Sequence, residues 1–182
     1  FEVAVSAASA NEVSVDGAEM TWADFAAKAS TDYLKSSVRL LADITVVDQQ
    51  SIADFQGVLD GDGHSISGLS APLFAKLTNA EVKNLTLNGN ITVPVANCGA
   101  LAGQSAGTLT VENVISHVDI TVVPTATIYV SGLIGRVTGT STVLKNVVND
   151  GDIVVGNGST SITTYAGGLI GETGNGATNE LI

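Results

Sequence analysis

Apolar residues along this chain recur at every second position in short runs, and the runs lose their phase at a recurring asparagine. Val82 and Leu85 both favour the interior, although strict alternation would bury Asn84 and expose Leu85. A corner at Asn84 resolves the conflict, because asparagine is the residue other than glycine that best tolerates the left-handed conformation a corner needs. The same phase slip occurs at Asn113 and Asn146. The pattern predicts short β-strands with a corner at each asparagine, and the three amides stacked as a hydrogen-bonded ladder.

The corner belongs to a longer segment that occurs three times. The three asparagines are 29 and 33 residues apart, and the glycines that close the copies, at 103, 135 and 171, are 32 and 36 residues apart. A period of this length, built from strand-like rather than helical pieces, indicates a β-solenoid. The shared landmarks lie at 82–85, 111–114 and 144–147, then at 90–93, 119–122 and 152–155, and finally at 99–103, 131–135 and 167–171.

One segment has helical rather than strand periodicity. Thr21 is a good N-cap, and Asp24 three residues later completes an approximate capping box. Four apolar residues then fall on one stripe at i, i+3, i+4 and i+7, namely Trp22, Phe25, Ala26 and Ala29. We expect a short helix over residues 21–30 that covers the unpaired edge of the first coil.

Composition narrows the class of protein. Hydrophobic content of 45% with 14% charged residues excludes a disordered tail. No apolar run approaches the ~20 residues that span a bilayer, so we expect no membrane span. The net charge of −11 and the scattered basic residues argue against nucleic acid as a partner. Cys98 is alone in the sequence, which excludes an internal disulfide.

The glycine-rich closures resemble those of the GLUG-motif repeat proteins. The matching stretches are 132–135 and 168–171, both Gly-Leu-Ile-Gly, with the degenerate Ala-Leu-Ala-Gly at 100–103. Pro-Leu-Phe-Ala at 72–75 stands in the corresponding place earlier in the chain and departs from the signature. The resemblance spans residues 38–171. It implies a right-handed parallel β-helix in a secreted or cell-surface bacterial protein of adhesive function, and it supplies no catalytic residues.

Two parts are therefore expected. Residues 1–37 form a strand and helix that cap the solenoid or link it to a preceding domain, with a strand where Phe1, Val3 and Val5 alternate. Residues 38–182 form an all-β, right-handed parallel β-helix of about four to five irregular coils. We expect both ends to be cut from a longer chain. An open last coil would expose unpaired backbone groups, which predicts possible end-to-end self-association.

Tyr129 and Tyr165 are the candidate ligand-binding residues. Each stands three residues before a Gly-Leu-Ile-Gly closure, so the two rings occupy equivalent positions in successive coils. Stacked aromatic rings at these positions would serve either as a platform for a sugar or as an ordinary side-chain ladder of a solenoid. Both interpretations stay open at this stage.

Asp119 and Asp152 are the candidate catalytic residues if the protein is an enzyme. They occupy equivalent positions, and strands in adjacent coils lie about 5 Å apart. Two stacked carboxylates of this kind can raise one pKa and form an acid–base pair, as in polysaccharide-cleaving β-helices. The structural interpretation is that they cap the turns that precede the Ile-Thr-Val and Ile-Val-Val strands.

Two other groups of residues give weaker evidence for a functional site. The run Asp60-Gly61-Asp62-Gly63-His64 looks like a calcium loop, but the twelfth position holds Ala71 instead of a bidentate glutamate, so a turn is the better account. His64 and His117 have no partner nearby in the sequence and no metal-ligand spacing. We predict no catalytic residue, metal or cofactor.

The function that the sequence favours is the presentation of a binding surface on a rigid scaffold. We expect a non-catalytic, adhesin-like domain of an exported bacterial surface protein, extracellular or at the cell surface, with a lateral face that binds a glycan or a protein. A polysaccharide lyase or hydrolase is the alternative, and a purely structural spacer is the second.

Overall fold

The computed structural model describes residues 12–92, 96–156, 162–174 and 178–182. The strand expected around Phe1, Val3 and Val5 lies outside these residues, as does Val93 of the first 90–93 landmark. The described chain is all-β with one helix. The elements are β1 Glu12–Val15, β2 Ala18–Thr21, α1 Trp22–Lys28, β3 Ser37–Leu40, β4 Ile44–Thr45, β5 Val58–Asp60, β6 Ser65–Leu69, β7 Phe74–Ile91, β8 Asn97–Cys98, β9 Ala102–Val122, β10 Ile128–Ser131, β11 Ile134–Val137, β12 Ser141–Asn149, β13 Ile153–Val155, β14 Thr164–Gly167, β15 Ile170–Thr173 and β16 Thr178–Leu181.

Parallel pairing dominates the described strands. β1 pairs antiparallel with β2 and β3, and the other strand pairs are parallel. One sheet holds thirteen of these strands, and β8, β10 and β14 form a second sheet of three. In the larger sheet, six residues of neighbouring strands lie side by side in one column, and successive members are 21, 23, 29, 33 and 37 residues apart in the sequence. The segment from one member of the column to the next is called a repeat below. The column consists of Val38, Leu59, Val82, Val111, Leu144 and Leu181.

The alignment fixes the register of the early chain. Phe74 pairs with Ala102, which pairs with Ile134, and Ile134 pairs with Ile170. The Pro-Leu-Phe-Ala segment therefore occupies the position of the later glycine closures, as predicted. Ile52 forms a bridge to Phe74, so an earlier copy of this position exists that has no glycine motif and was not predicted.

The corners at the asparagines are confirmed. Asn84, Asn113 and Asn146 have φ values of 53°, 54° and 51°. The side-chain nitrogen of Asn113 donates to Oδ1 of Asn84 at 3.0 Å, and that of Asn146 donates to Oδ1 of Asn113 at 2.8 Å. Asn84 in turn donates to Oδ1 of Asp60 at 3.0 Å. The predicted amide ladder therefore exists, and it starts at a carboxylate.

The last glycine of each closure lies where the two sheets approach each other. A Cβ on Gly135 would lie 2.5 Å from the backbone nitrogen of Cys98 and 2.8 Å from the carbonyl oxygen of Tyr129. Gly103 and Gly171 meet backbone atoms of the smaller sheet in the same way. Close approach of neighbouring backbone, which the missing Cβ predicts, is therefore confirmed.

The helix forms where the capping residues predict it. The backbone N–H of Asp24 donates to Oγ1 of Thr21 at 3.1 Å. Trp22, Phe25 and Ala29 of the predicted stripe are buried. Phe25 packs edge-on against Phe55 with ring centroids 6.0 Å apart, which joins α1 to the core. No helix of the described residues has the length and apolar character needed to cross a membrane.

Cys98 gives a direct test of the packing between the two sheets. Its side chain is fully buried in β8, and burial raises the pKa of the thiol to about 12. We expect that iodoacetamide at about pH 8 does not alkylate Cys98 in the folded protein over hours, and that it alkylates Cys98 fully in concentrated urea. Mass spectrometry measures the alkylated fraction in both cases. Labelling of the folded protein at the rate seen in urea would contradict this packing.

Candidate functional site

The two candidate tyrosines lie side by side. β10 and β14 pair in parallel so that Tyr129 aligns with Tyr165, and the ring centroids are 4.8 Å apart at an interplanar angle of 16°. Tyr165 is 39% exposed, and Tyr129 is half-buried. The rings therefore stack on each other, and Tyr165 presents the more accessible surface of the pair.

Two charged side chains from the adjacent sheet complete this group, which we call the tyrosine corner: Tyr129, Tyr165, Arg136 and Glu172. The guanidinium carbon of Arg136 lies 4.5 Å from the centroid of the Tyr129 ring, a cation–π distance. Nε of Arg136 donates to Oε2 of Glu172 at 2.6 Å. Arg136 and Glu172 are aligned residues of β11 and β15, so the sheet register holds the pair in place.

Local sequence explains how the corner forms. Gly135 has no side chain to keep β11 away from the backbone of Tyr129, and the next residue, Arg136, then reaches the ring. The arrangement offers an aromatic surface, guanidinium donors and a carboxylate acceptor within one small area. Such a combination suits ligands with one apolar surface and several hydroxyl groups.

Asp119 and Asp152 are adjacent, but their contact is that of a cap. Oδ1 of Asp119 accepts a hydrogen bond from the backbone N–H of Asp152 at 2.9 Å. Asp43 accepts from the backbone N–H of Ser65 in the same way, at 2.8 Å. That bond is the main cause of the lowered pKa of Asp43, with a further bond from the Ser65 hydroxyl. Asp119 thus caps the backbone of the next repeat just before β13, whereas no turn precedes it in its own repeat, because it lies within β9.

Each histidine lies beside an aspartate from a neighbouring repeat, which sequence reasoning missed. Nδ1 of His117 contacts Oδ1 of Asp150, and Nδ1 of His64 lies 3.4 Å from Oδ1 of Asp43. His117 and Asp150 are 33 residues apart, the same offset that separates Asn113 from Asn146. That shared offset was the signal in the sequence that could have found the pair.

His117, Asp119, Asp150 and Asp152 together form what we call the aspartate face. These four residues are exposed and point away from the sheet on β9 and on the chain from β12 to β13. Among residues 12–92, 96–156, 162–174 and 178–182, no group of three or more His, Cys, Asp and Glu is placed to hold a metal ion.

The Asp60–His64 run is a turn, as predicted. The backbone N–H of Asp62 donates to Oδ1 of Asp60 at 2.9 Å, and Asp62 and Gly63 have φ values of 50° and 84°. Oδ1 of Asp60 also accepts from Asn84. The Asp60 carboxylate thus serves the turn and the ladder.

A groove that the sequence did not predict lies beside the helix. It encloses about 670 Å³ between α1 and residues 45–53. Trp22, Ala26, Val46 and Ile52 form much of its lining, and Asp48 is its charged residue. Its position depends on how α1 packs, which periodicity alone does not specify.

Comparison with known families shows to which protein family the chain belongs. Residues 42–148 match the model of the family described as the M26 IgA1-specific metallo-endopeptidase N-terminal region, and this stretch is more than half of the 182-residue chain. The chain belongs to this family. The M26 family consists of secreted or cell-surface bacterial proteins, in agreement with the expected class and location, but it is not the GLUG family that the closures resemble. Comparisons of the M26 chain with curated proteins and with solved structures found no match.

The family description names a metallo-endopeptidase, and the residues of this M26 chain do not fit a zinc site of the His-Glu-x-x-His type. That motif places two histidines four residues apart on one helix. His64 and His117, the two histidines of the sequence, are 53 residues apart, and each lies beside an aspartate. No step of peptide hydrolysis can therefore be assigned to the histidines of this segment.

Proposed function

We propose that this chain is a non-catalytic, adhesin-like binding segment of an exported bacterial surface protein, and that the tyrosine corner is its ligand-binding surface. The single observation that carries the proposal is the geometry of this corner. A stacked tyrosine pair, an arginine over one ring and a carboxylate bound to that arginine lie together at the boundary of two regular sheets.

The proposed scaffold is a right-handed parallel β-helix. The return of the chain to one column of aligned residues, the corners at equivalent asparagines and the resemblance to GLUG repeats all support this winding. Residues 1–37 act as its cap in this proposal. The burial of Phe25 and its contact with Phe55 support that role for α1.

The family supports the place of the segment in a larger protein. The matched description is that of an N-terminal region, named apart from the peptidase itself. A rigid binding segment in such a position would hold a glycoprotein substrate close to a separate catalytic unit. IgA1, the substrate in the family description, is accordingly the first protein ligand to test, beside free glycans.

The test is a binding screen with a built-in assay of cleavage. The purified chain is applied to a glycan array and to immobilised IgA1, and any bound glycan is then checked for release of reducing ends. We expect binding without release. Tyr165→Ala should weaken binding about tenfold, because it removes the exposed ring of the pair, while Tyr165→Phe should keep most of the affinity since it preserves stacking.

The alternatives give different results in the same experiment. Release of reducing ends would refute the non-catalytic assignment and direct mutagenesis to Asp119 and Asp152. Unchanged binding by a folded Tyr165→Ala variant would move the site away from the tyrosine corner. Absence of any binding to glycans or IgA1 would leave the segment a structural spacer.

A further inference from the structure

A second lateral surface is distinct from the tyrosine corner and carries an unusual order of side chains. Exposed residues alternate along β9 after Asn113 and align with exposed residues of β12 and β13. Ile115 pairs with Val148, and Thr121 pairs with Val154. Each such pair of aligned, outward-facing residues is called a rung below. Between these two rungs lie the rungs of the aspartate face, His117 with Asp150 and Asp119 with Asp152. The order along the strands is therefore an aliphatic pair, two pairs that contain aspartate, and a threonine–valine pair.

The aliphatic residues at both ends of this surface are exposed to a degree that packing does not explain. Ile115 is 39% exposed, Val148 is 46% exposed and Val154 is 51% exposed. Each of them points away from the core that the alternate residues of the same strands fill. Exposed aliphatic residues that lie together on one surface mark interaction sites more often than scattered single residues do.

The preceding strand shows that the fold does not demand this composition. In β7, Thr86 aligns with Ile115, Asn88 with His117 and Asn90 with Asp119. The same backbone positions therefore accept uncharged, hydrophilic side chains one repeat earlier. The change to aliphatic and acidic residues at β9, β12 and β13 needs a cause other than strand geometry.

The charge on the inner rungs identifies the partner. Within the described ranges, no basic side chain pairs with Asp119 or Asp152, whereas the nearby Lys145 is bound to Glu112 and Arg136 to Glu172. Asp150 contacts His117 and, among the described residues, likewise pairs with no Lys or Arg. The two inner rungs therefore carry three carboxylates, of Asp119, Asp150 and Asp152, that no Lys or Arg of the described residues contacts.

We propose that this surface docks an extended basic segment of a partner protein. Alternate residues of an extended chain lie about 6.8 Å apart, the same spacing as successive rungs of the sheet. A segment lying along the strands would face the four rungs with an aliphatic residue, two Lys or Arg residues and a second aliphatic residue. Because the side chains point off the sheet, further strands paired at its edge would extend the surface rather than cover it.

The probe is a pair of blocked nine-residue peptides of identical composition. One presents Val, Lys, Lys and Val at alternate positions separated by Thr, and the other presents Lys, Val, Val and Lys. Binding is measured by calorimetry, and contacts are mapped from amide chemical shifts. We expect the first peptide to bind at least about fivefold more tightly, because two exposed ion pairs and two apolar contacts form only in that order.

Matched variants separate this docking from general attraction to an acidic protein. Asp119→Asn with Asp152→Asn should weaken binding of the first peptide about fivefold, and Asn at 119 keeps an oxygen for the N–H of Asp152. Ile115→Thr with Val148→Thr copies the residue of β7 and should weaken it as well. The control, Glu19→Gln with Asp32→Asn, removes the same charge from other exposed positions and should change affinity less than twofold.

Three results would overturn the proposal. They are equal affinity for the two peptides, an equal loss of affinity in the control variant, and chemical-shift changes confined to residues outside β9 and residues 141–155. None of them depends on the tyrosine corner, so failure of the glycan or IgA1 screen leaves this test intact.

Discussion

Replacement of Asn113 by alanine is expected to lower the free energy of unfolding by about 2–5 kcal/mol. Alanine loses about 1–2 kcal/mol in the left-handed conformation that Asn113 adopts at a φ of 54°. It also removes two inter-amide hydrogen bonds, to Asn84 and from Asn146, each of which contributes about 0.5–1.5 kcal/mol. The measurement is urea denaturation followed by circular dichroism.

Glycine at the same position separates the two causes. Asn113→Gly restores the freedom to adopt positive φ but still loses the ladder, so its destabilisation should be about 1 kcal/mol smaller than that of alanine. Asn90→Ala is the control, since Asn90 is exposed within extended strand β7, and it should cost less than about 0.5 kcal/mol. Equal destabilisation by alanine and glycine would show that the corner conformation does not limit the choice of residue.

Replacement of Gly135 by alanine should destabilise the protein by about 3 kcal/mol or more. The added Cβ would lie 2.5 Å from the nitrogen of Cys98 and 2.8 Å from the carbonyl oxygens of Gly103 and Tyr129. All three are backbone atoms, so no side chain can move aside, and the two sheets must separate. The same separation would pull Arg136 away from the Tyr129 ring, which near-ultraviolet circular dichroism would detect.

The matched control for this prediction is Gly168→Ala. Gly168 opens the next Gly-Leu-Ile-Gly closure, yet a Cβ there would meet nothing within 4 Å. Alanine at 168 should therefore leave stability within about 0.5 kcal/mol, or raise it slightly by restricting the unfolded chain. If both variants were equally destabilised, close approach of the sheets would not be the reason for glycine at 135.

What the sequence predicted depended on whether a feature was local or repeated. The corner at Asn84 could be predicted because one phase slip between Val82 and Leu85 is visible without any knowledge of tertiary structure. The stacking of Tyr129 on Tyr165 followed from their equal distance to a closure. The helix at Trp22–Lys28 followed from a cap and an apolar stripe.

What the sequence did not predict depended on the register between repeats or on which face of a strand looks outward. His117 and Asp150 meet because of a 33-residue offset, and each appeared unpartnered when considered alone. The copy at Ile52 has no glycine motif, and the early repeats shorten to 21 and 23 residues. Val148 and Val154 resemble core residues by type, and only the pairing of β12 and β13 with β9 places them outside.

The amide ladder also has a direction. Each side-chain NH2 group donates towards the preceding repeat, so the amide dipoles align, and the row begins at the carboxylate of Asp60. A negative charge at the N–H end of aligned dipoles is the arrangement that stabilises the start of an α-helix, here built from side chains instead of backbone. The repeats are thus alike in shape but ordered by polarity. A carboxylate in place of the amide of Asn113 would remove the donor that Asn84 requires, so the acidic member of the row belongs at its beginning.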